Sequence, residues 1–316
     1  MTRYLVWRLV LLVVSVFVAS VLIFALLRLL PGDVATTIGG LRATPAQLAR
    51  IRAELGLDRS LPAQYGSWIG GVLHGDFGRS QLDGSSVGAQ LAQKLQVTAP
   101  LAAGGTLLAL LIAVPLGVLA AVRHRSPVGA GVSALSQVGI AVPTLWVGLV
   151  LVLVFAVELN VLPAQGFPTN GWSDPGLAVR SLVLPWIALG LSEGAVLLRF
   201  VRSSVLGVLH SDYLRTARAK GLTRWGALLR HGLRNAALPV TSVLGLQIAA
   251  LIVGAVVIEQ VFTLPGVGSM LIADVANRDL VKVQGEVLVI TGAVLVISFL
   301  IDIVHRLIDP RLREAG

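Results

Sequence analysis

The stretch LVWRLVLLVVSVFVASVLIFALL, residues 5–27, decides the class of fold because it is apolar almost without interruption. A helix rises about 1.5 Å per residue, so about 20 apolar residues cross the hydrocarbon core of a bilayer. The run is longer than the roughly 7 to 15 apolar residues of a secretory signal, and no small-residue cleavage site follows it. We therefore expect this segment to remain in the protein as a transmembrane helix.

Five further apolar stretches have a comparable length. The six predicted spans lie near residues 5–27, 97–122, 132–157, 181–202, 236–258 and 286–304. Over all 316 residues, 55% are hydrophobic and 13% are charged, against about 45–50% and about 25% in soluble domains. The sequence therefore predicts a single all-helical, multi-pass membrane domain over residues 1–316.

The distribution of arginine and lysine predicts the orientation, because basic loops are retained on the cytoplasmic side. If the spans alternate, one face carries fifteen of the 25 basic residues. That face holds both termini and the segment YLRTARAKGLTRWGALLRHGLRN, residues 213–235, which contains six basic residues and no acid. We expect this face to be cytoplasmic. The net charge of +9 does not indicate a nucleic-acid-binding protein, because the charges lie between long apolar runs.

The longest segment outside the spans, residues 31–95, is expected to be an extracytoplasmic loop with two surface helices. Thr44 and Gln47 have the spacing of a capping box at the start of a helix, and Gly56 is placed to end that helix. A second short helix is expected to begin near Pro62, because proline is favoured in the first turn.

The basic loop at 211–235 also carries helix signals. Asp212 is expected to cap a helix at about 213–220, and Gly221 is expected to end it in a left-handed conformation. Thr223 is expected to cap a second helix. An apolar stripe along that second helix is predicted at Trp225, Leu229 and Leu233.

Signatures of catalysis and metal binding are missing from the sequence. None of the three lysines follows a glycine, so there is no phosphate-binding loop of the G-x-x-x-x-G-K-[ST] kind. The five histidines lack the H-E-x-x-H spacing, and there is no cysteine. GSSVG at 84–88 fits G-x-S-x-G, but no strand–turn–helix pattern surrounds it. We predict no catalytic residue, metal or cofactor in this chain.

Glu193 lies near the middle of the fourth predicted span. An ionised carboxylate there costs about 2.5 kcal/mol or more, so the side chain should face the bundle interior or a water-filled path. Two interpretations stay open with equal weight. Glu193 is either neutral or hydrogen-bonded to a polar group on a neighbouring helix, or it belongs to a transport pathway or subunit interface.

DYLRTARAKG at 212–221 and HGLRNAALP at 231–239 resemble the cytoplasmic coupling loop of ABC importer permeases. The resemblance is to the branch that carries dipeptides, oligopeptides and nickel, and within it to the B-type subunit. The family writes the loop as E-A-A, three residues, then glycine, whereas this chain has Arg215, Thr216 and Ala217 there, a departure that the peptide and nickel branch shares. Further similar stretches are LLPGD at 29–33, LGLDRSLPAQY at 55–65, GDFGRS at 75–80, EQVFTLPGVGSML at 259–271 and RDLVKVQG at 278–285.

The resemblance implies a type I ABC importer permease in the bacterial cytoplasmic membrane, working by alternating access. It implies a C-type permease as partner, two cytoplasmic ATPase subunits that bind ATP and Mg²⁺, and an extracytoplasmic solute-binding protein. The residues it places against an ATPase are Tyr213, Arg215, Thr216, Ala217, Arg218, Ala219, Lys220 and Gly221.

Three alternatives remain at this point. A nickel or glutathione importer permease of the same branch would have a similar sequence. A secondary transporter needs no ATPase, but usually shows inverted repeats and mid-membrane ionisable residues, for which only Glu193 argues. An intramembrane enzyme needs paired catalytic groups within the spans, and the sequence has none.

Overall fold

The computed structural model describes residues 2–29, 43–54 and 56–308. Within these residues the regular structure is helical, apart from one isolated backbone bridge between Arg79 and Ser86. The all-helical class is therefore confirmed. Predictions that concern 30–42, Leu55 and 309–316, including most of the LLPGD stretch, lie outside the described residues.

Twelve α-helices occur in the described part of the chain. They are α1 Thr2–Leu29, α2 Pro45–Glu54, α3 Leu61–Leu73, α4 Val87–Val122, α5 Pro127–Ala141, α6 Thr144–Leu151, α7 Pro175–Leu209, α8 Asp212–Ala219, α9 Arg224–Ala227, α10 Leu233–Val261, α11 Val267–Ala276 and α12 Leu280–Ile308. A π-helical segment, Val152–Glu158, continues α6, and a second, Leu228–Gly232, joins α9 to α10. A 3₁₀ turn, Gly171–Ser173, precedes α7.

Four of these helices, α1, α4, α7 and α12, are each long and apolar enough to cross a membrane. Two bent helix pairs are also long and apolar enough when each pair is taken as one span. One is α5 with the helix Thr144–Glu158, bent by 100°, and the other is Arg224–Gln247 with Ala249–Val261, bent by 49°. The count equals the six predicted spans if each bent pair is one span. The sidedness of the termini stays a prediction.

Proline accounts for the sharper bend. Val142 and Pro143 separate α5 from α6, because proline lacks the N–H that would continue the helix. Pro115, by contrast, lies inside the continuous helix α4. A proline is tolerated inside a membrane helix where other groups satisfy the freed backbone carbonyl.

The centre of the bundle is the pair α4 and α7. The apolar stretch of α7 is 61% buried inside the bundle, whereas the apolar stretch of α12 is only 6% buried. Small residues allow the close approach: a Cβ on Gly104 would lie 2.2 Å from Nε1 of Trp186. Trp186 Nε1 donates a hydrogen bond to the carbonyl oxygen of Pro100 at 3.0 Å. This contact fixes the register of α7 along α4.

The two short helices predicted within residues 31–95 are present in the structure. The Thr44 backbone N–H donates to Gln47 Oε1 at 2.8 Å, and the Gln47 N–H donates to Thr44 Oγ1 at 3.3 Å. This is the capping box at the start of α2. Helix α3 lies against α1, where the hydroxyls of Tyr65 and Ser20 are 2.8 Å apart. The Phe24 and Tyr65 rings meet edge to face at 5.5 Å between centroids.

Candidate functional site

Helix α8, Asp212–Ala219, forms the first half of the basic loop. Gly221 has φ +94°, the left-handed conformation that the sequence predicts at the helix end. The expectation that Asp212 caps the helix is wrong, because Ser211 occupies the cap position and Asp212 is the first helical residue. Ser211 Oγ donates to the carbonyl oxygen of Val208 at 2.6 Å. The Asp212 carboxylate instead accepts a hydrogen bond from Arg215 at 2.8 Å.

One side of α8 is fixed to its own chain. Leu214 and Ala217 are 1% and 9% exposed, and they pack with Ala227 and Leu222 against the end of α7. Ala217 therefore has its side chain inside the loop. The other residues that the resemblance assigns to ATPase contact are exposed: Tyr213, Arg215, Thr216, Arg218, Ala219, Lys220 and Gly221. The exposed surface of α8 and its end thus includes three basic side chains, Arg215, Arg218 and Lys220.

The second half of the loop departs from the predicted stripe. Thr223 caps α9 as expected, accepting a hydrogen bond from the Gly226 N–H at 3.1 Å. Trp225 and Leu229, however, are 45% and 60% exposed, whereas Leu228 is fully buried. Trp225 and Leu229 therefore share an exposed face, and the π-helical segment Leu228–Gly232, with its i→i+5 hydrogen bonds, interrupts the 3.6-residue period before Leu233.

Hydrogen bonds attach this loop to two membrane helices. Arg234 Nε donates to the carbonyl oxygen of Ile308 in α12 at 3.0 Å. Ser204 of α7 donates to the carbonyl oxygen of Ala236 at 2.7 Å. These two hydrogen bonds connect the beginning of α10 to α12 and to α7.

Glu193 has a partner on a neighbouring helix. Gln247 Nε2 in α10 donates to Glu193 Oε2 at 3.0 Å. Gln247 is also the last residue before the 49° bend of that helix pair. The interpretation of a hydrogen bond to a neighbouring helix is confirmed. A role in the pathway or in an interface stays a prediction.

A buried carboxylate that the sequence reasoning did not single out lies at the other end of the bundle. Glu259 is fully buried, and its Oε1 accepts a hydrogen bond from Thr98 Oγ1 at 2.6 Å. Its Oε2 accepts from the Ser269 N–H at 2.8 Å, while the Val267 N–H donates to Thr98 Oγ1 at 2.8 Å. Glu259 and Thr98 thus hold the N-terminus of α11 against α4. A Cβ on Gly266 would collide with Glu259, at 2.1 Å from Oε1.

A second buried polar cluster joins the segment 79–86 to α11 and α12. Ser80 Oγ donates to Asp279 Oδ2 at 2.5 Å, and both side chains are buried. Lys282 Nζ lies 3.6 Å from Asp83 Oδ2 and 3.6 Å from Asp274 Oδ1. These side chains therefore connect two segments that are far apart in the sequence, since Ser80 and Asp279 are separated by 199 residues.

Neither of these two clusters is predicted from the sequence. Thr98 and Glu259 are 161 residues apart, so no local spacing reveals their contact. A signal was nevertheless present. Glu259 follows the apolar run 236–258 directly, and Glu286 begins the run 286–304, where solvation is costly.

Comparison with known proteins bears on the whole chain. The family described as "Binding-protein-dependent transport system inner membrane component" matches residues 113–314. The corresponding N-terminal family matches residues 1–102.

Individual relatives align over nearly their full length. A probable peptide ABC transporter permease protein of Sinorhizobium fredii is 38% identical over 98% of this chain and 99% of its own. A putative peptide transport system permease protein of Brucella abortus is 40% identical over 94% of each chain. The dipeptide transport system permease protein DppB of Escherichia coli is 35% identical over 99% of each chain.

Proposed function

Because this chain belongs to the family of binding-protein-dependent transport system inner membrane components, we propose that it is the permease subunit of a peptide importer. The relatives named above are described as peptide or dipeptide permeases, and each aligns with at least 94% of this chain. The multi-pass helical bundle supports transport rather than catalysis as the role of this chain. Its substrate is then a dipeptide or oligopeptide delivered by an extracytoplasmic binding protein.

Partner subunits supply what this chain lacks for active import. A C-type permease completes the translocation path, and two cytoplasmic ATPase subunits bind ATP and Mg²⁺. No phosphate-binding loop occurs in this sequence, which agrees with ATP binding elsewhere.

The exposed surface of α8 is the observation that carries the proposed coupling. Leu214 and Ala217 fix the helix to the loop, so its free side moves as a rigid body with the loop. Arg215, Arg218 and Lys220 give that side a positive potential, which favours docking on an acidic groove. ATP-driven motion of the docked ATPase then shifts the bundle between inward-open and outward-open states.

Uptake by the complete complex tests the transported substrate. The purified complex with its binding protein, reconstituted in liposomes, should accumulate dipeptides or oligopeptides in the presence of ATP. Uptake of Ni²⁺ or glutathione without peptide uptake would overturn the peptide assignment. Uptake without any ATPase subunit would instead favour a secondary transporter.

Gly221→Val tests the coupling role in the same system. Valine at φ +94° is strained by about 1–2 kcal/mol, although nothing lies within 4 Å of the position of its Cβ. We expect normal membrane insertion but at least about tenfold less ATP-driven uptake, equivalent to about 1.4 kcal/mol. Gly207→Val is the matched control, because Gly207 also has open space but is helical. Normal uptake and normal binding-protein-stimulated hydrolysis by Gly221→Val would refute the coupling role.

A further inference from the structure

The beginning of α1 meets the end of α12 in a cluster of charged and aromatic side chains. Arg8 Nη1 lies 2.8 Å from Asp302 Oδ2. Arg8 Nε donates a hydrogen bond to the Tyr4 hydroxyl at 3.2 Å, and that hydroxyl donates to the carbonyl oxygen of Asp302 at 3.4 Å. The Arg306 guanidinium carbon lies over the Tyr4 ring, 3.9 Å from its centroid. We call this cluster, Tyr4, Arg8, Asp302 and Arg306, the α1/α12 corner.

Arg306 has no counter-ion among the residues that the structure describes. Its side chain is only 6% exposed, and no acidic side chain in the described ranges forms an ion pair with it. Its buried Nε has no hydrogen-bond acceptor there. A guanidinium keeps its charge and carries five N–H donors, and a buried charge is costly unless it is paired. The Tyr4 ring attracts the cation through its π face but supplies no full negative charge.

The charges of the corner do not balance. In the described structure, Asp302 is the one acidic residue at this end of α1 and α12, and its carboxylate is already paired with Arg8. Arg306 and the exposed Arg3 therefore remain as excess positive charges. The residues that follow in the sequence, 309–316, contain two arginines and two acidic residues, so their side chains add no net charge. The corner therefore favours an anion as its ligand.

The level of the corner along the two helices indicates the kind of anion. Tyr4 directly precedes the apolar run 5–27, and Arg306 follows the run 286–304 by two residues. Since an α-helix rises about 1.5 Å per residue, both residues lie within about 3 Å of the end of an apolar run. The lipid headgroups flank the hydrocarbon core at this level. Trp7 is 60% exposed on α1 beside the corner, as is typical of aromatic residues at the membrane interface.

We propose that the α1/α12 corner binds the phosphate group of an anionic phospholipid. The phosphate accepts hydrogen bonds from the Arg306 guanidinium and is attracted by Arg3, while Arg8 stays paired with Asp302. The acyl chains lie along the apolar side chains of α1, most of which are exposed. The lipid thus supplies the negative charge that Arg306 lacks and joins α1 to α12. Basic pockets between membrane helices bind anionic headgroups by the same chemistry.

A free phosphate ion or an acidic protein surface would offer a similar charge. Neither has an apolar part that could lie against the exposed apolar side chains that follow the corner on α1. A phospholipid combines both features at the level where the corner lies. The structure therefore favours a lipid over the other two ligands.

Thermal stability tests the proposal with the complete complex in nanodiscs of phosphatidylcholine, with and without phosphatidylglycerol. Wild type should be stabilised by phosphatidylglycerol, because a ligand of the folded state raises its stability. Arg306→Gln removes the charge and should lose most of this stabilisation. Asp302→Asn should increase it, because Arg8 then becomes available to the phosphate. Arg28→Gln is the matched control, since Arg28 lies over the Phe24 ring near the other end of α1, and it should keep the wild-type lipid dependence.

Retention of lipid gives a second, direct measurement. Mass spectrometry of complexes released from mixed nanodiscs counts the phosphatidylglycerol molecules that stay bound. Arg306→Gln should lower the affinity for phosphatidylglycerol at least about fivefold, which corresponds to the contribution of one basic side chain at an anionic surface. A short-chain phosphatidylglycerol added to the complex in detergent should stabilise it more than inorganic phosphate at the same concentration.

Several outcomes would overturn the proposal. One is equal stability of the wild-type complex in the two lipid mixtures, a result that needs no variant to fold. A second is an unchanged lipid dependence in both Arg306→Gln and Asp302→Asn, which would make the corner a contact between helices only. A third is an equal loss in Arg306→Gln and Arg28→Gln, which would assign the effect to general surface charge.

Two further results would assign the corner to another ligand and would equally overturn the proposal. Equal stabilisation by inorganic phosphate and by short-chain phosphatidylglycerol would identify a free anion. Loss of ATPase subunits from Arg306→Gln in phosphatidylcholine alone, with unchanged lipid dependence, would identify an acidic protein surface. None of these measurements requires transport, so they succeed or fail independently of the proposed function.

Discussion

The basic loop at 211–235 and the opposite end of the bundle use charge in contrasting ways. In the loop, Arg215 pairs with Asp212 only three residues away, and the two side chains are 75% and 88% exposed. At the other end, Glu259 bonds to Thr98 across 161 residues and is fully buried. Exposed charge leaves a surface free for a second protein, whereas buried charge fixes helices of the same chain to one another.

The largest expected effect is that of Glu259→Ala. The substitution removes the acceptor for Thr98 and for the Ser269 N–H, leaving both donors in a buried site. We expect a loss of about 3 kcal/mol in the free energy of unfolding, seen as a lower thermal midpoint of the purified complex. Glu158→Ala removes an exposed carboxylate and should cost less than about 0.5 kcal/mol. If Glu259→Ala and Glu158→Ala had equal thermal midpoints, the buried carboxylate would contribute no more to stability than the exposed one.

A much smaller effect on stability is expected for Arg215→Ala. The ion pair that it breaks is exposed, and such pairs contribute about 0–1 kcal/mol. Thermal stability should therefore stay within about 0.5 kcal/mol of wild type, while ATPase subunits dissociate more readily in pull-down at rising salt. Arg3→Ala, an exposed arginine outside the loop, should leave ATPase retention unchanged. If Arg215→Ala destabilised the permease and left ATPase retention unaltered, Arg215 would contribute to folding and not to ATPase binding.

The smallest effect on the structure is expected from single cysteine substitutions. These variants test which end of the bundle faces the cytoplasm. The chain has no cysteine, so each variant carries one reactive thiol. Cysteines at Ser173 and Asn277, both exposed, should react with an impermeant thiol reagent added to intact cells. Cysteines at Ser126 and Thr223 should react only after lysis. Labelling at Thr223 from outside would exchange the two faces and contradict the fifteen-to-ten distribution of basic residues.

Local signals in the sequence were sufficient for much of the fold. Gly221 and the Thr223 cap depend on the conformation of a few adjacent residues, and both are confirmed. Apolar runs gave the positions of the long helices. The 100° bend after α5 could not be predicted from Pro143 alone, because a proline frees a backbone hydrogen bond but does not determine the angle of the bend.

What could not be predicted depends on contacts between distant segments. The sequence cannot show that Glu259 meets Thr98, or that Ser80 meets Asp279, because those pairs form only when the helices pack. The π-helical segment Leu228–Gly232 was not predicted either, because the residues themselves give no signal for such a turn.

Helix α12 connects the two ends of the bundle. Its 29 residues make a rod about 43 Å long, since each residue adds about 1.5 Å. Ile308 at one tip receives the hydrogen bond from Arg234, and Lys282 and Glu286 stand near the other tip. A tilt of only about 5° about one tip displaces the opposite tip by about 4 Å, which exceeds any hydrogen-bond length. A small rotation of α12 about its Ile308 end would therefore be enough to break the contact between Lys282 and Asp274 near its other end.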